Sequence, residues 1–331
     1  WCFWLRFKKP INTKVLFESR QGISFNPGFF YDSSDTQHIM LNPPSLTKEQ
    51  FEILSIAAQA DAPLSGAGTD TIRQLQSDGF ISNGKITESG LAALEPYRVK
   101  RAIFIAAGMG SRMMPITLSC PKPLVRVNGT RIIDTLIDAC IDVGIEDIII
   151  VRGYLGECFE QLKIKYPFIK FVDNPYYKSY NNISSAYLVR NLLGGSYIFE
   201  SDIYLINKKL ITKYQYRSNY LGVPCEETPD WCFDADENMK ITDLHKGGKN
   251  CFHMYGISYY DEETGKLFCK CVEEIFNNTL GGKDHFWDDV LCHFYAKESN
   301  IYVRKCSFSD TIEIDSFDEL CEVDESYKTK N

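Results

Sequence analysis

Gly108, Gly110, Ser111, Arg112 and Lys122 fall within one short stretch, RAIFIAAGMGSRMMPITLSCPKPL, residues 101–124, and together they suit the handling of phosphate. Glycine tolerates positive φ and has no Cβ, so a glycine-rich turn can bring several backbone N–H groups up to an anion. Arginine and lysine on the same loop add positive charge. The spacing excludes two commoner phosphate loops. A Walker A loop would set Lys and Ser or Thr directly after its last glycine, and a dinucleotide fingerprint would need a third glycine where Met113 stands.

Carboxylates would complete such a site. The segment SYIFESD ends in Asp202, and TIEIDSF places Asp315 at the end of another short β-prone run. Mg²⁺ is held by few carboxylates together with phosphate oxygens and water, so Asp202 and Asp315 would suffice as its ligands. Each has a plainer use as well: Asp202 as a turn cap, and Asp315 or Ser316 as the N-cap of a helix over SFDELCEV. Asn181, Asn182, Ser184 and Ser185 sit at the start of a helix, where amides and hydroxyls either cap it or read a base edge. Trp231, and Trp287 beside Asp288 and Asp289, lie in acidic surroundings that suit a quaternary ammonium group through cation–π attraction. Taken singly, each tryptophan reads as a core residue. Lys246 and Lys249 in HKGGKN are candidates for holding the phosphate of a second substrate, or else form a solvated basic turn.

The run Ala102–Ala107 reads as a strand buried on both faces. After it, strands and helices alternate. A helix over Ile132–Val143 ends at Gly144, DIIIV is a second strand, and RGYLGECFEQLKIKY turns into a helix. IKFVDNP is a third strand, NNISSAYLVRNLL a capped helix and SYIFESD a fourth strand. This order predicts an α/β fold with a mostly parallel central sheet covered by helices on both faces. Ligands of such sheets bind at the carboxyl ends of the strands, here the loops after Ala107, Val151, Val172 and Phe199.

A chain of 331 residues exceeds one typical domain. Leu46–Tyr97 reads as a separate small unit: a capped helix from SLTKEQFEIL, a second helix over Thr69–Asp78, a hairpin at Ser-Asn-Gly and a last helix in SGLAALEPY. That order resembles a winged helix. Its ADAPLSGAGTD segment is short and glycine-rich for the usual turn, and Arg73 alone is basic on the candidate recognition helix, so DNA binding is the lesser expectation. The expected boundaries are a poorly ordered arm over 1–44, a winged-helix-like α+β domain over 45–98 and a catalytic domain over 99–331.

A formal charge of -8 argues against coating nucleic acid, which needs clustered Lys and Arg. Twelve cysteines without a C-x-x-C pair read as reduced, mostly buried thiols of a cytoplasmic protein. No apolar run approaches the roughly 20 residues that span a bilayer, and the aromatic start WCFWLRF is too short for a signal-peptide core. A monomer and a homodimer are equally compatible with these features.

Taken whole, the order strand, G-x-G-S-R, P-x-T and P-K-P-L resembles the N-terminal signature of nucleotidyltransferases that join a nucleoside triphosphate to a phosphorylated sugar or alcohol. With RGY after the second strand, YNNISSAYLV, the strand ending in Asp202, FWDDV and EIDSFDEL, the resemblance narrows to the bacterial CTP:phosphocholine cytidylyltransferases over about Lys100 to Val323. It implies a Rossmann-like nucleotidyltransferase fold in which Ala107, Gly108, Gly110, Ser111, Arg112, Lys122 and Gly153 bind the nucleotide, with Asn182 and Ser185 on the cytosine side. It further implies Arg112, Lys122 and Asp202 as catalytic groups and Asp202 with Asp315 as Mg²⁺ ligands. Trp231, Trp287, Asp288 and Lys246 would then hold phosphocholine. The activity implied is transfer of CMP from CTP to phosphocholine, giving CDP-choline and pyrophosphate for cell-surface decoration. Two departures stand out: Glu200 and Ser201 occupy positions where Asp and Ala are expected, and Ile312 stands where an aromatic is expected. The alternatives are a sugar-1-phosphate nucleotidyltransferase using UTP or dTTP, and a nucleotide-sensing transcription regulator.

Overall fold

The computed structural model describes residues 45–59 and 70–328, so the expected arm over 1–44 and most of ADAPLSGAGTD lie outside the described residues. Seven strands form the central sheet: β1 Arg101–Ala106, β2 Ile148–Arg152, β3 Lys170–Asp173, β4 Ser196–Glu200, β5 Asn219–Ala235, β6 Ile241–Tyr260 and β7 Tyr302–Lys305. Their order is β7-β5-β6-β4-β1-β2-β3. β1 pairs in parallel with β4 and with β2, and β2 with β3. β6 is antiparallel to both β4 and β5, while β7 returns parallel to β5. The sheet is mostly parallel, as the alternation of elements predicts.

Period-2 alternation explains the two covering layers. Ala102, Phe104 and Ala106 face one layer, where they meet Ile133, Leu136 and Ile137 of the helix Ile132–Asp142. Ile103 and Ile105 face the other, against Ile183 and Ala186 of the helix Ile183–Leu188 and Phe268, Val272 and Ile275 of the helix Glu262–Asn278. Side chains on both faces of β1 are thereby removed from water, which anchors the loop that leaves its carboxyl end. The segment after β2 is not the expected long helix. It is a 3₁₀ stretch, Gly156–Gln161, followed by one α-turn, Leu162–Lys165, entered through Leu155 at φ 47°.

β5 and β6 form a hairpin that outgrows the sheet. Only Asn219–Gly222 and Ile257–Tyr260 pair with neighbouring strands, and the remainder curls so that Cys232 and Phe233 face both His245 and Leu244 and, again, His253 and Phe252. This curl carries Trp231 and Lys246, paired across the ladder.

The small unit has the expected order of helix, helix, hairpin and helix: Lys48–Gln59, Asp70–Ser77, Ile81–Ser82 with Lys85–Ile86, and Glu88–Leu94. Thr47 and Gln50 cap the first helix reciprocally, and Asn83 and Gly84 both take positive φ, as a two-residue hairpin turn requires. Its core of Phe51, Leu54, Leu75, Ile81 and Leu94 is closed by Tyr214, and Tyr97 stacks on Tyr216 at 5.8 Å. The unit is therefore seated on the catalytic part through shared aromatics. Arg73 on the helix Asp70–Ser77 is tied to Asp70. No helix among the described residues is long and apolar enough to cross a membrane.

Candidate active site

Gly108, Gly110, Ser111, Arg112 and Lys122, expected to touch the nucleotide's phosphates, converge at the carboxyl end of β1. Gly110 has φ 59°, and a Cβ there would stand 3.0 Å from Lys122 Cβ and 3.2 Å from Thr117 Cγ2. The Thr117 hydroxyl donates to the Gly110 carbonyl at 2.9 Å, and the Tyr154 hydroxyl donates to the Thr117 carbonyl at 2.9 Å, which pins the loop. Gly110→Ala is expected to lose about 1–2 kcal/mol of stability from the left-handed backbone, with a raised KM for the nucleotide. Denaturant unfolding checks it; an unchanged midpoint would show that the turn relaxes freely.

Lys122 Nζ donates to Asp202 Oδ2 at 3.0 Å and to Asp315 Oδ1 at 2.8 Å, from 80 and 193 residues away in the chain. Arg112 meets the same Asp315 oxygen at 2.9 Å. A short ladder brings the two aspartates together: Thr311–Glu313 pairs antiparallel with Ile203–Leu205, and Ile314 N–H donates to the Asp202 carbonyl at 3.2 Å. Ser316 caps the following helix in a capping box with Glu319, which leaves the Asp315 side chain to the cations. Burial pulls the Lys122 ammonium down in pKa, but Asp202 and Asp315 more than reverse this, and its pKa rises. Burial raises the Asp315 carboxyl while Lys122 and Arg112 lower it further, so it stays below the usual range.

A third carboxylate joins them. Asp202, Glu313 and Asp315 offer oxygens within 4.8 Å of one another. Asp202 Oδ1 is buried with no hydrogen-bond partner among the described residues. An orphaned carboxylate oxygen of this kind carries a desolvation cost that a cation would relieve. The residues present therefore fit a Mg²⁺ ion held by Asp202, Asp315 and Glu313. Sequence reading missed Glu313, although its position two before Asp315 at a strand end puts both on one face.

A cavity of about 610 Å³ opens from this point and runs into a smaller one of about 290 Å³ under the glycine loop, the two sharing Gly108, Arg112, Asp202 and Asp315. Ala107 lines the larger, Gly110, Ser111 and Lys122 the smaller. Gly153 lies behind the lining: a Cβ there would sit 2.7 Å from Tyr177 Cβ and 2.9 Å from the Ala107 carbonyl, so it allows the close approach of two loops. Asn182 and Ser185 line the cavity with their polar atoms already engaged. Asn182 Nδ2 donates to Glu200 at 3.4 Å, its Oδ1 accepts from Trp287 N at 2.9 Å, and Ser185 Oγ accepts from Asn174 Nδ2 at 2.9 Å.

The same lining includes Asp230, Trp231, Lys246, Phe286 and Asp288, with the Trp231 and Phe286 rings edge to face at 5.4 Å. Trp287 does not reach it. Its ring is fully buried among Tyr220, Tyr260 and Phe268, where an apolar core gains more from a large ring than an open cavity does. Lys249 pairs with Glu227 outside the lining. Glu200, read from the sequence only as a departure, also lines the cavity, in space that Gly256 leaves open. Burial and then Asp288 push the Glu200 carboxyl well up.

Comparison with known proteins agrees with this geometry. Residues 101–176 match the nucleotidyl transferase family. The chain is 37% identical over 229 residues, 68% of its own length and 92% of the relative's, to a 2-aminoethylphosphonate cytidylyltransferase of Lancefieldella rimae. It is 33% identical over 234 residues to a choline-phosphate cytidylyltransferase of Streptococcus pneumoniae, covering 70% of this chain and 100% of that one. The chain belongs to the nucleotidyltransferase family. A solved structure of the CTP:phosphocholine cytidylyltransferase from Streptococcus pneumoniae matches this nucleotidyltransferase with a TM-score of 0.64 at 33% identity, covering 69% of this chain and 99% of that one. The two relatives matched at 33–37% identity over nearly their whole length are cytidylyltransferases, whereas the thymidylyltransferase and UDP-glucose pyrophosphorylase structures that the chain also covers almost end to end are only 16–17% identical and share the fold alone.

Proposed function

We propose that this enzyme transfers CMP from CTP to a small zwitterionic acceptor, with phosphocholine as the first reading, and does so in the cytoplasm for cell-surface decoration. One observation carries the proposal: a continuous cavity joins the glycine loop, Arg112 and Lys122 to a wall of carboxylates and aromatic rings. A phosphate monoester is already a nucleophile at neutral pH, so no general base is required. An acceptor oxygen would attack the α-phosphorus of CTP, the bond to the β-phosphate would break, and pyrophosphate would leave with the electron pair.

Arg112, with its side chain 69% exposed, would exchange or share its ion pair with Asp315 to reach the leaving phosphates. Lys122 gives two of its three N–H groups to Asp202 and Asp315, which leaves one for the α-phosphate. Asp202, Glu313 and Asp315 would hold Mg²⁺, which supplies charge neutralisation for the transferring group. Trp231 and Phe286 would face the choline end beside Asp230 and Asp288.

A second reading rests on a specific observation. Asp288 is only 3% exposed, yet its Oδ1 has no hydrogen-bond partner among the described residues. A quaternary ammonium has no N–H to give it, whereas a primary ammonium does. That favours an acceptor such as 2-aminoethylphosphonate, and the inward burial of Trp287 removes one expected aromatic wall. A pyrophosphate-release panel of CTP, UTP and dTTP against phosphocholine, 2-aminoethylphosphonate and glucose 1-phosphate tests both readings. Release only with UTP or dTTP would overturn the cytidylyl proposal.

Burial, and then Asp289, hold the Asp288 carboxyl up at about 7. Below that pH it is neutral and loses its attraction for an ammonium. KM for the acceptor is therefore expected to rise about tenfold between about pH 8 and about pH 6, with KM for CTP little changed. Asp288→Asn should flatten the profile; a slope that survives in the variant would assign it to another group.

A further inference from the structure

Three cysteines of the curled hairpin gather away from the phosphate loop. Cys225 and Cys251 are directly opposed on β5 and β6, with their Sγ atoms 3.8 Å apart. A Cβ placed on Gly248 would stand 2.8 Å from Cys232 Sγ and 3.1 Å from Cys251 Sγ, so these two thiols share space that a glycine leaves open. Facing residues of an antiparallel pair have Cα atoms about 4.5–5.5 Å apart. A disulfide accepts about 4.4–6.8 Å. Rotation about the side-chain bonds can then bring the sulfurs from 3.8 Å to bonding distance without moving the strands.

The cluster is not arranged for a metal. Among the described residues the group whose ligand atoms converge is Asp202, Glu313 and Asp315 instead. Its members differ in access: Cys225 is half-buried and Cys251 is buried. Burial, reinforced by the neighbouring thiols, pushes Cys251 up to about 12, so it stays protonated and the more accessible Cys225 is the point of entry for an oxidant. The ring closed by a 225–251 bond would contain Asp230, Trp231 and Lys246, the hairpin's contribution to the cavity wall.

We propose that Cys225 and Cys251 form a reversible disulfide under peroxide, and that the bond, by tying the two strands together, restricts the adjustment of the hairpin around the acceptor. The Cys225 thiol gives up its proton, the thiolate attacks a peroxide oxygen, the O–O bond breaks to give Cys225 sulfenic acid, and the hydroxide released takes up that proton as one water. The Cys251 sulfur then displaces the sulfenic hydroxyl, which takes the Cys251 proton and leaves as a second water. Two thiols are oxidised, one hydrogen peroxide is reduced to two waters, and a dithiol reductant reverses the bond.

The full chain is treated with hydrogen peroxide, its free thiols are alkylated, and its peptides are mapped without reduction. A peptide pair linking Cys225 to Cys251 is expected, lost with dithiothreitol, absent in Cys225→Ser and retained in Cys232→Ser. No linked pair, or linkage of Cys251 to Cys232 in the unmodified sequence, would overturn the assignment. The oxidised enzyme should show a severalfold higher KM for the acceptor at unchanged KM for CTP, restored by reductant and absent in Cys225→Ser. A linked pair with an unaltered acceptor KM would overturn the coupling to the wall. This kinetic measurement rests on the acceptor placement proposed above and the peptide map does not, so the two failures are distinguishable.

Discussion

Lys122→Ala should lower kcat by about a hundredfold or more, a loss of about 3 kcal/mol in transition-state stabilisation, while the protein remains folded. The side chain is 11% exposed and bridges two carboxylates that belong to distant parts of the chain. Removing it deletes the cation proposed to face the transferring phosphorus and leaves Asp202 and Asp315 repelling each other. Lys122→Arg is expected to rescue little, because a planar guanidinium cannot follow a stem packed this closely against Gly110. Steady-state pyrophosphate release, with a thermal melt on the same samples, reads the result. Turnover within tenfold of the parent enzyme would remove Lys122 from the transfer step.

Asp202→Asn tests the other half of the charge arrangement. It keeps the size of the side chain but removes the charge at a proposed ligand, the carboxylate whose Oδ1 is buried without a partner among the described residues. Turnover should again fall by about a hundredfold or more, and the Mg²⁺ concentration at half-maximal rate should rise on the order of tenfold. Lys122 retains Asp315, so the fold survives the change. A magnesium titration separates the outcomes: a lower rate at an unchanged Mg²⁺ requirement would mean that Asp202 serves only to hold Lys122.

The contrast between these residues and Trp287 shows what a sequence can and cannot carry. The glycine loop was legible because its chemistry is local: a buried strand, positive-φ glycine and two cations within 22 residues of one another. Asp202 and Asp315 were legible as candidates, being carboxylates at strand ends. Their meeting depends on the ladder between Ile203–Leu205 and Thr311–Glu313, which no local pattern announces. Trp231 and Trp287 look alike in sequence, each beside acids, yet one lines the cavity and the other fills the layer against Tyr220 and Phe268. The face on which a side chain falls is decided by long-range packing. The curl of the β5–β6 hairpin is of the same kind, since its double pairing of Cys232 arises from bulges rather than from any turn signal.

That late ladder has a consequence for biogenesis. The glycine loop, Asp202 and four of the seven sheet strands lie before residue 205, but the strand that delivers Glu313 and Asp315 comes more than a hundred positions later. A ribosome-bound chain that has not yet released the segment 311–315 can shape the nucleotide pocket, yet it leaves Lys122 half neutralised and the acidic cluster short of two members. On the roles proposed above, competence for turnover is thus deferred until residues 311–313 have paired with Ile203–Leu205.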